Sequence, residues 1–292
     1  MIGVDLGGTK ILAGVVSRNG NVESKRETMT PVGSQAELLG ALDAVVEELV
    51  DESIAALGFG IPSRIDRRSG QVEGSVNIPL AGLDLGGRMR ERFGLPVGIE
   101  NDANAAAYGE FHSGAGRDVQ TMLMLTLGTG CGGGVVIGGQ LYRGWAEFGH
   151  IVIELGGLPC QGSCTGRGHL EAYVSGTAAT KLAVEAFGPS VDAHGLVRLA
   201  EQGDGRAVDL LRGIGRRLGA GIGSLVNIFC PELVVVGGGF AAAGDFLFDS
   251  AREVMKREAL SPEDERAQIV RAELGSDAGL IGAGLVAFDA AA

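Results

Sequence analysis

Short apolar runs alternate along the chain with longer segments in which apolar residues recur at helical spacing. Runs typical of buried strands occupy residues 1–6, 11–17, 54–61, 97–100, 122–127, 134–137 and 233–236. Helical spacing covers residues 36–53, 102–112, 170–187, 191–202, 205–229 and 278–288, and a further helix is expected around Phe246 and Val254. Strands interleaved with helices over the whole length predict an α/β fold.

A strand, a glycine turn and a second strand occur together twice, as DLGGTKILAGVV near the start and LGTGCGGGVVIGG in the middle. A unit repeated after roughly a hundred residues predicts two similar halves that face each other across a cleft. No linker rich in proline and serine separates them, so domains joined by a hinge are expected. We expect a smaller domain over residues 1–115, joined by the C-terminal helix 278–292. A larger domain over 116–277 would carry a metal-binding loop at 150–169.

The first glycine turn, which contains Asp5, Gly7, Gly8, Thr9 and Lys10, is a candidate phosphate site. Two glycines after a strand let backbone N–H groups point at a phosphate, with a hydroxyl and an ammonium group beside it. Asp5 lies at the strand end, where it is placed to hold a metal ion directly or through water. The alternative is a β-hairpin that uses glycine for geometry alone. The spacing is not that of a Walker A loop.

Two further glycine clusters follow predicted strands. The second turn offers the phosphate-site candidates Gly128, Thr129, Gly130, Gly132 and Gly133. Gly237, Gly238 and Gly239 form a candidate binding site for the sugar or base of a nucleotide. Glycine lets backbone approach a ligand closely, and three clusters at strand ends favour a nucleotide site.

Asn101 and Asp102 lie where a predicted strand meets an alanine-rich helix. One interpretation makes Asp102 the N-cap residue of that helix. The other is catalytic: Asn101 is aimed away from the helix to recognise hydroxyl groups, and Asp102 accepts the proton of an attacking alcohol.

His150, Cys160, Cys164 and His169 fall in a segment with no regular periodicity. Two cysteines and two histidines, the last three at C-x3-C-x4-H spacing, match a tetrahedral structural Zn²⁺ site. The alternative is scattered thiols and a surface histidine. The other cysteines, Cys131 in a glycine turn and Cys230 in an apolar helix, are expected to be small apolar fillers.

Composition narrows the class of protein. Of the 292 residues, 45% are hydrophobic and 51 are glycine, which fits a folded protein rich in tight turns. A formal net charge of −12 argues against a nucleic-acid partner, which would need a basic face. The sequence shows no export signal and no apolar run of about 18 residues. A cytoplasmic enzyme without a membrane partner is therefore expected.

Together these motifs resemble the ROK family of sugar kinases, within the superfamily that also contains actin and chaperone ATPases. The resemblance runs from DLGGTK to the C-terminal helix, and its most specific stretch is GWAEFGHIVIELGGLPCQGSCTGRGHLEAYVSG. It implies two actin-like, ribonuclease H-like α/β domains with a cleft between them. The bacterial glucokinases of the family are the most similar group. The implied reaction is ATP-dependent phosphorylation of the 6-hydroxyl of a hexose, with glucose the first expectation.

The resemblance also implies a role for each matching position. Asp102 is implied as the catalytic base, acting with ATP and Mg²⁺. The sugar hydroxyls are implied to bind Asn77, Asn101, Glu147, His150 and Glu171. His150 would also bind the zinc ion. His169 departs from the family, which commonly has cysteine there, and imidazole is an acceptable ligand that leaves a Cys2His2 site.

Other functions stay open at this point. An N-acylhexosamine kinase, a fructokinase or a polyphosphate-using glucokinase would use the same scaffold. A sugar-responsive regulator of the family is not expected, because such regulators carry an N-terminal helix-turn-helix and the first strand here begins at Ile2. The apolar excess and the family suggest a homo-oligomer, either a dimer or a tetramer.

Overall fold

The computed structural model describes residues 1–66, 68–75, 78–260 and 267–292. The chain divides into two compact units, the first formed by Met1–Arg117 with Ser276–Ala292 and the second by Asp118–Gly275. Each unit has its own buried apolar core and its own five-stranded sheet. The C-terminal helix thus belongs to the first unit, although the second unit precedes it in sequence.

The sheet of the first unit has the strand order β3-β2-β1-β4-β7. Its strands are β1 (Ile2–Leu6), β2 (Lys10–Val16), β3 (Val22–Met29), β4 (Leu57–Ile61) and β7 (Val97–Asn101), and a separate ribbon pairs β5 (Ser63–Ile65) with β6 (Val72–Ser75). Its helices are α1 (Gln35–Glu47), α2 (Leu85–Phe93), α3 (Asp102–Ser113) and α9 (Ala278–Ala290). The strand β2 runs antiparallel to both β1 and β3, whereas β1, β4 and β7 are parallel to one another.

The sheet of the second unit repeats this arrangement, with the order β10-β9-β8-β11-β12. Its strands are β8 (Met122–Leu127), β9 (Cys131–Ile137), β10 (Gln140–Leu141), β11 (Leu233–Gly237) and β12 (Gln268–Arg271). Its helices are α4 (Glu171–Val174), α5 (Gly176–Phe187), α6 (Ala193–Glu201), α7 (Gly205–Phe229) and α8 (Asp245–Glu258). Both glycine turns therefore join the corresponding two strands of their sheets, and the repeat predicted from the sequence is confirmed in the topology.

The apolar helix α9 packs on the first sheet along a row of glycines. Four cross-strand neighbours on adjacent strands form this row: Gly14, Gly3, Gly58 and Gly98. A Cβ at Gly3 or Gly58 would collide with the backbone of α9, so the helix lies close to the strands. This close packing sets Gly279, near the start of α9, against the carboxylate of Asp5. Within the described residues, no helix combines the length and the apolar composition needed to cross a bilayer.

Several predicted bounds differ from those observed. The helix predicted over 36–53 ends at Glu47, and the strand predicted from residue 54 begins at Leu57. The helix predicted over 170–187 is interrupted at Ser175, whose hydroxyl caps α5. The glycines 132–134 lie inside β9 rather than in the turn. The spacing of apolar residues alone does not reveal where a side chain caps a helix through a hydrogen bond to the backbone.

Candidate active site

Asp102 is the first residue of α3, at the end of β7. The N-cap residue is Asn101, whose Oδ1 accepts bonds from the backbone N–H groups of Ala103 at 3.0 Å and Asn104 at 3.2 Å. Asp102 Oδ1 accepts a second bond from Ala103 at 2.8 Å. The capping role predicted for Asp102 is therefore wrong, since Asn101 performs it. The oxygen of Asn101 is not aimed away from the helix, so its Nδ2 group is the one left as a candidate for a sugar hydroxyl.

The buried carboxylate of Glu100, which was not among the predicted site residues, holds this junction in place. Glu100 is fully buried, and its Oε1 accepts bonds from the backbone N–H of Asn101 at 2.9 Å and from Asn104 Nδ2 at 3.0 Å. No local pattern predicts this contact, because Glu100 lies on β7 and Asn104 lies on α3. Glu100 thus holds the backbone of the residue before Asp102 and the side chain of Asn104, two residues after it.

Asp5 and Asp102 are close enough for their charges to interact. Burial and, to a smaller extent, the negative charge of Asp102 raise the pKa of Asp5 to about 7, and the charge of Lys10 opposes the change. Gly60 is the register partner of Asp5 in β4, and a Cβ on it would lie 3.7 Å from Asp102 Cα. The carboxylates of Asp5 and Asp102 lie at the ends of parallel strands, and burial disfavours the charged form of Asp5. Two oxygen donors in this arrangement fit a hard divalent cation such as Mg²⁺.

The first glycine turn is closed by its own backbone and held by Thr30. The N–H of Gly7 donates to the carbonyl of Lys10 at 2.9 Å. Thr30 donates its hydroxyl to Gly7 O at 2.7 Å and its N–H to Thr9 O at 3.0 Å. A Cβ on Gly8 would meet nothing within 4 Å, so this face of the turn is open to a ligand.

Lys10 is engaged elsewhere on the sheet surface. Its Nζ lies 2.8 Å from Glu27 Oε2 on the neighbouring strand β3, and that hydrogen bond raises the pKa of Lys10. A role for Lys10 at a phosphate stays a prediction, and it requires this exposed ion pair to break.

The second glycine turn is built in the same way. The N–H of Gly128 donates to Gly130 O at 3.0 Å. The start of α5 holds the turn, because the N–H of Gly176 donates to Gly128 O at 2.8 Å and the hydroxyl of Thr177 donates to Thr129 O at 2.7 Å. A Cβ on Gly128 would again meet nothing within 4 Å.

Gly132 and Gly133 lie inside a strand, and their predicted contact with phosphate stays a prediction. Both pair with β8 inside the sheet. A Cβ on Gly133 would collide with the ring of Phe148, and one on Gly149 would collide with the carbonyl of Cys131. These glycines let the short 3-10 helix Phe148–His150 lie directly on β9, which positions His150.

The three glycines of the third cluster differ in the space available for a side chain. Gly237 ends β11 and is packed against Met124 and Ala272. Gly238 has a φ of +85° and lies against the backbone of Leu127, where any larger residue would be strained. Only Gly239 has open space where a side chain would be. It remains the candidate for contact with a nucleotide.

The candidate sugar-binding residues of the second unit surround the start of β9. Glu147 and His150 are exposed at the two ends of the same 3-10 turn. Glu171, the first residue of α4, accepts a bond on Oε2 from the N–H of Cys131 at 2.8 Å. Its other oxygen lies 3.8 Å from Cys160 Sγ. Asn77, predicted to bind the sugar, lies outside the described residues.

The four predicted zinc ligands come together. One donor atom from each of His150, Cys160, Cys164 and His169 lies within 4.8 Å of the others. The two Nδ1 atoms are 3.2 Å apart, and the sulfur–nitrogen distances are 3.7 Å for Cys160–His150 and 3.6 Å for Cys164–His169. A tetrahedral zinc ion with ordinary bond lengths separates two nitrogens by about 3.3 Å and a sulfur from a nitrogen by about 3.6 Å. The cluster therefore has the size and donor set of a zinc site.

The remaining two cysteines differ from each other. Cys131 is buried at the start of β9, as a small filler should be. Cys230 is exposed and ends α7 in a left-handed conformation, with a φ of +46°. Its predicted role as a filler inside an apolar helix is wrong, because the helix ends one residue earlier.

A sequence profile described as the ROK family matches residues 1–290. The chain belongs to the ROK family. A glucokinase from Streptomyces coelicolor is 37% identical to this ROK chain over 97% of it and 95% of the relative. A ROK glucokinase from Streptomyces griseus, solved in complex with glucose and AMPPNP, is 36% identical with a TM-score of 0.85, covering 99% of both chains. A ROK hexokinase from Thermus thermophilus is 37% identical with a TM-score of 0.85, covering 99% of this chain and 97% of the other.

Proposed function

We propose that this ROK protein is a glucokinase that transfers the γ-phosphoryl group of ATP to the 6-hydroxyl of glucose. The observation that carries the proposal is the carboxylate pair Asp5 and Asp102, set at the ends of parallel strands in the unit that also carries the first glycine turn. The relative from Streptomyces griseus, solved with glucose and AMPPNP, supports this choice of substrates.

The first unit supplies the base. In this proposal, Asp102 accepts the proton of the 6-hydroxyl as that oxygen attacks the γ-phosphorus and the bond to the β–γ bridging oxygen breaks. General-base catalysis of this kind contributes roughly 10²–10⁴-fold in rate. Glu100 and the cap formed by Asn101 hold the backbone of Asp102 fixed, which matters because phosphoryl transfer depends on positioning more than on covalent chemistry.

Asp5 is the residue proposed to hold the magnesium ion that accompanies ATP. Its raised pKa shows that its negative charge is poorly compensated by the surrounding protein, which fits an oxygen ligand for a hard cation or its bound water. When bound, Mg²⁺ would neutralise charge on the phosphate oxygens. Thr9 and the open face at Gly8 are proposed to contact the same phosphates.

The second unit is proposed to bind the sugar hydroxyls and the remaining phosphates. Glu147, His150 and Glu171 are the candidates for the hydroxyls, and the turn at Gly128, Thr129 and Gly130 is the candidate for the phosphates. The Nδ1 atom of His150 faces the metal cluster, so its Nε2 is the atom available to a hydroxyl. Asn77 and Asn101 complete the proposed set of sugar-binding residues.

The cluster of His150, Cys160, Cys164 and His169 is proposed to hold a structural zinc ion. Burial raises the pKa of Cys160 to about 11, so its thiol is neutral at pH 7 unless a cation stabilises the thiolate. Zinc would fix the loop 150–169, in which regular secondary structure is sparse, and would orient the ring of His150.

The two compact units are proposed to be the functional domains of a cytoplasmic homo-oligomer. Free thiols suit a reducing compartment. Large apolar side chains are exposed on the second unit, including Trp145 at 64% and Leu155 at 97%, and a second copy of the chain would cover them. Light scattering of the purified protein tests this assembly: a dimer or tetramer is expected, and a monomer at micromolar concentration would contradict it.

A coupled assay for ADP tests the proposed reaction. ATP is offered with glucose, mannose, fructose and N-acetylmannosamine in separate reactions, and polyphosphate replaces ATP in a parallel series. We expect glucose with ATP to give the highest kcat/KM. A higher value for another sugar or for polyphosphate would reassign the substrate, and no sugar-dependent ADP release would refute the kinase.

A further inference from the structure

Gln161 lies between the proposed zinc ligands Cys160 and Cys164 in the sequence, and its side chain bonds to residues outside the loop 150–169. Its Nε2 donates to the backbone carbonyl of Glu171 at 3.1 Å and to the hydroxyl of Ser175 at 2.5 Å. Both partners belong to residues 171–177, which we call the bridging segment. The neighbours of Gln161 in the loop, Gly162 and Ser163, are exposed, so its side chain is an anchor for this part of the loop.

The other side of the bridging segment holds the second glycine turn. Gly176 N–H donates to Gly128 O at 2.8 Å, and the hydroxyl of Thr177 donates to Thr129 O at 2.7 Å. The side chain of Glu171 accepts the N–H of Cys131 at 2.8 Å. The bridging segment therefore bonds to the turn at both of its ends.

Ser175 connects these two sets of bonds. It is fully buried, and its Oγ accepts bonds from Gln161 Nε2 and from the backbone N–H of Ala178, the latter at 3.1 Å. One hydroxyl thus caps α5 and anchors the loop. The contact at the other end is equally close, because a Cβ on Gly130 would collide with the carboxylate of Glu171. A shift of the bridging segment must therefore move the turn or break its hydrogen bonds.

We propose that Gln161 is a positioning residue that couples metal occupancy of the cluster to the geometry of the second glycine turn, and through it to nucleotide affinity. With metal bound, Cys160 and Cys164 fix the loop on both sides of Gln161 and hold its amide on the bridging segment. Without metal the loop gains freedom, and the bonds to Glu171 and Ser175 weaken. This inference rests on the proposed zinc and ATP roles of the same unit.

The test is a cycle of metal removal and substitution. AMPPNP affinity is measured by calorimetry for the zinc-loaded and the chelated protein, in the wild type, in Gln161→Leu and in the matched control Gln202→Leu, which changes an exposed glutamine of the same unit. Chelation should weaken binding to the wild type and the control by roughly fivefold, the factor that one net hydrogen bond is worth. Gln161→Leu should bind AMPPNP roughly fivefold more weakly even with zinc bound, and chelation should change it little further.

Two more readouts separate positioning from a general loss of stability. In zinc-loaded Gln161→Leu, KM for ATP should rise while kcat and the melting temperature stay near the wild-type values. Amide hydrogen exchange in a peptide covering residues 126–133 should be faster in chelated wild type and in zinc-loaded Gln161→Leu. Equal effects of chelation on AMPPNP affinity in wild type and Gln161→Leu would overturn the coupling.

If Gln161→Leu does not bind zinc, Thr177→Val is measured instead. This variant removes a hydrogen bond between the bridging segment and the turn, and it leaves the loop with the zinc ligands unchanged. It should bind zinc normally and lose most of the dependence of AMPPNP affinity on zinc, and a full dependence would overturn the proposal. A wild type that binds no AMPPNP would refute the proposed function instead. The exchange of residues 126–133 would still test the coupling in that case, since exchange unaltered by chelation overturns it.

Discussion

The two glycine turns occupy the same place in two sheets of the same topology, yet they have different chemical surroundings. Each is closed by a bond within the turn and held by a threonine hydroxyl 2.7 Å from a turn carbonyl, Thr30 in the first unit and Thr177 in the second. The first turn lies on the strand that carries Asp5, in the unit that carries Asp102. The second is bonded to a segment that leads to the metal cluster.

This difference shows how a repeated fold becomes specialised. The geometry of the turn is similar in both units, and both proposed phosphate sites would use its backbone N–H groups. The first unit also carries the carboxylates of Asp5 and Asp102, and the second carries the loop with the metal cluster. Substitution of Asp102 in the first unit should therefore change the chemical step, and substitution of a zinc ligand in the second should change zinc binding and stability.

The largest effect is expected from Asp102→Asn. It keeps the shape of the side chain and removes the proposed base, so kcat should fall by roughly 10²–10⁴-fold. Steady-state kinetics measure the loss, and the melting temperature should stay close to that of the wild type. Asp209→Asn, an exposed change on α7, serves as the control. A kcat within threefold of the wild type would exclude Asp102 as the base.

Cys164→Ser should act on the second unit alone. Loss of one ligand should lower bound zinc, measured by elemental analysis, and should lower the melting temperature by on the order of 10 °C if zinc contributes a few kcal/mol. Hydrogen exchange should accelerate in the second unit and not in the first. Cys230→Ser is the matched control, because that thiol is exposed and outside the cluster. Zinc content equal to that of the control would remove the zinc assignment.

Asp5→Asn should raise stability while it reduces activity. The folded-state pKa of Asp5, about 7, is above its ordinary value of 3.8, so the folded protein holds a proton that the unfolded chain has released between these two values. Stability of the wild type should therefore fall as the pH rises from about 4 to about 7, and stay lower above it.

Asparagine does not titrate, so at pH 8 and without Mg²⁺ the variant should be more stable by up to about 4 kcal/mol, at 1.36 kcal/mol for each pKa unit. At pH 4 the two proteins should be nearly equal. Urea unfolding at both pH values measures the difference. A difference that does not depend on pH would contradict the raised pKa.

The smallest effects should come from the matched pair Thr30→Val and Thr177→Val. Each removes one hydroxyl bond to a turn carbonyl, and each should weaken AMPPNP binding by roughly fivefold. Isothermal calorimetry gives both affinities, and only the Thr177 variant should alter the effect of zinc removal. Unchanged affinity in either variant would show that the corresponding turn does not need its threonine.

The sequence predicted what depends on local pattern and missed what depends on neighbours in space. The repeated strand–turn–strand units and the zinc ligand set are visible as patterns, because spacing along the chain controls both. The sequence did not show that Asn101 rather than Asp102 is the N-cap, since both residue types are good caps. The glycine-rich sequence around Gly133 resembles a turn, whereas the residue lies in β9 with the ring of Phe148 packed on it. The partner of Lys10 lies on another strand, which no local signal names.

A crystal structure of the complex with glucose and AMPPNP would test whether Asp102 is the base, through the distance from its carboxylate to the 6-hydroxyl oxygen. We expect one Asp102 oxygen within hydrogen-bond range of that hydroxyl, about 2.6–3.2 Å, with the γ-phosphate on the far side of the hydroxyl oxygen. An Asp102 bonded only to the N–H of Ala103, with another side chain at the 6-hydroxyl, would contradict it.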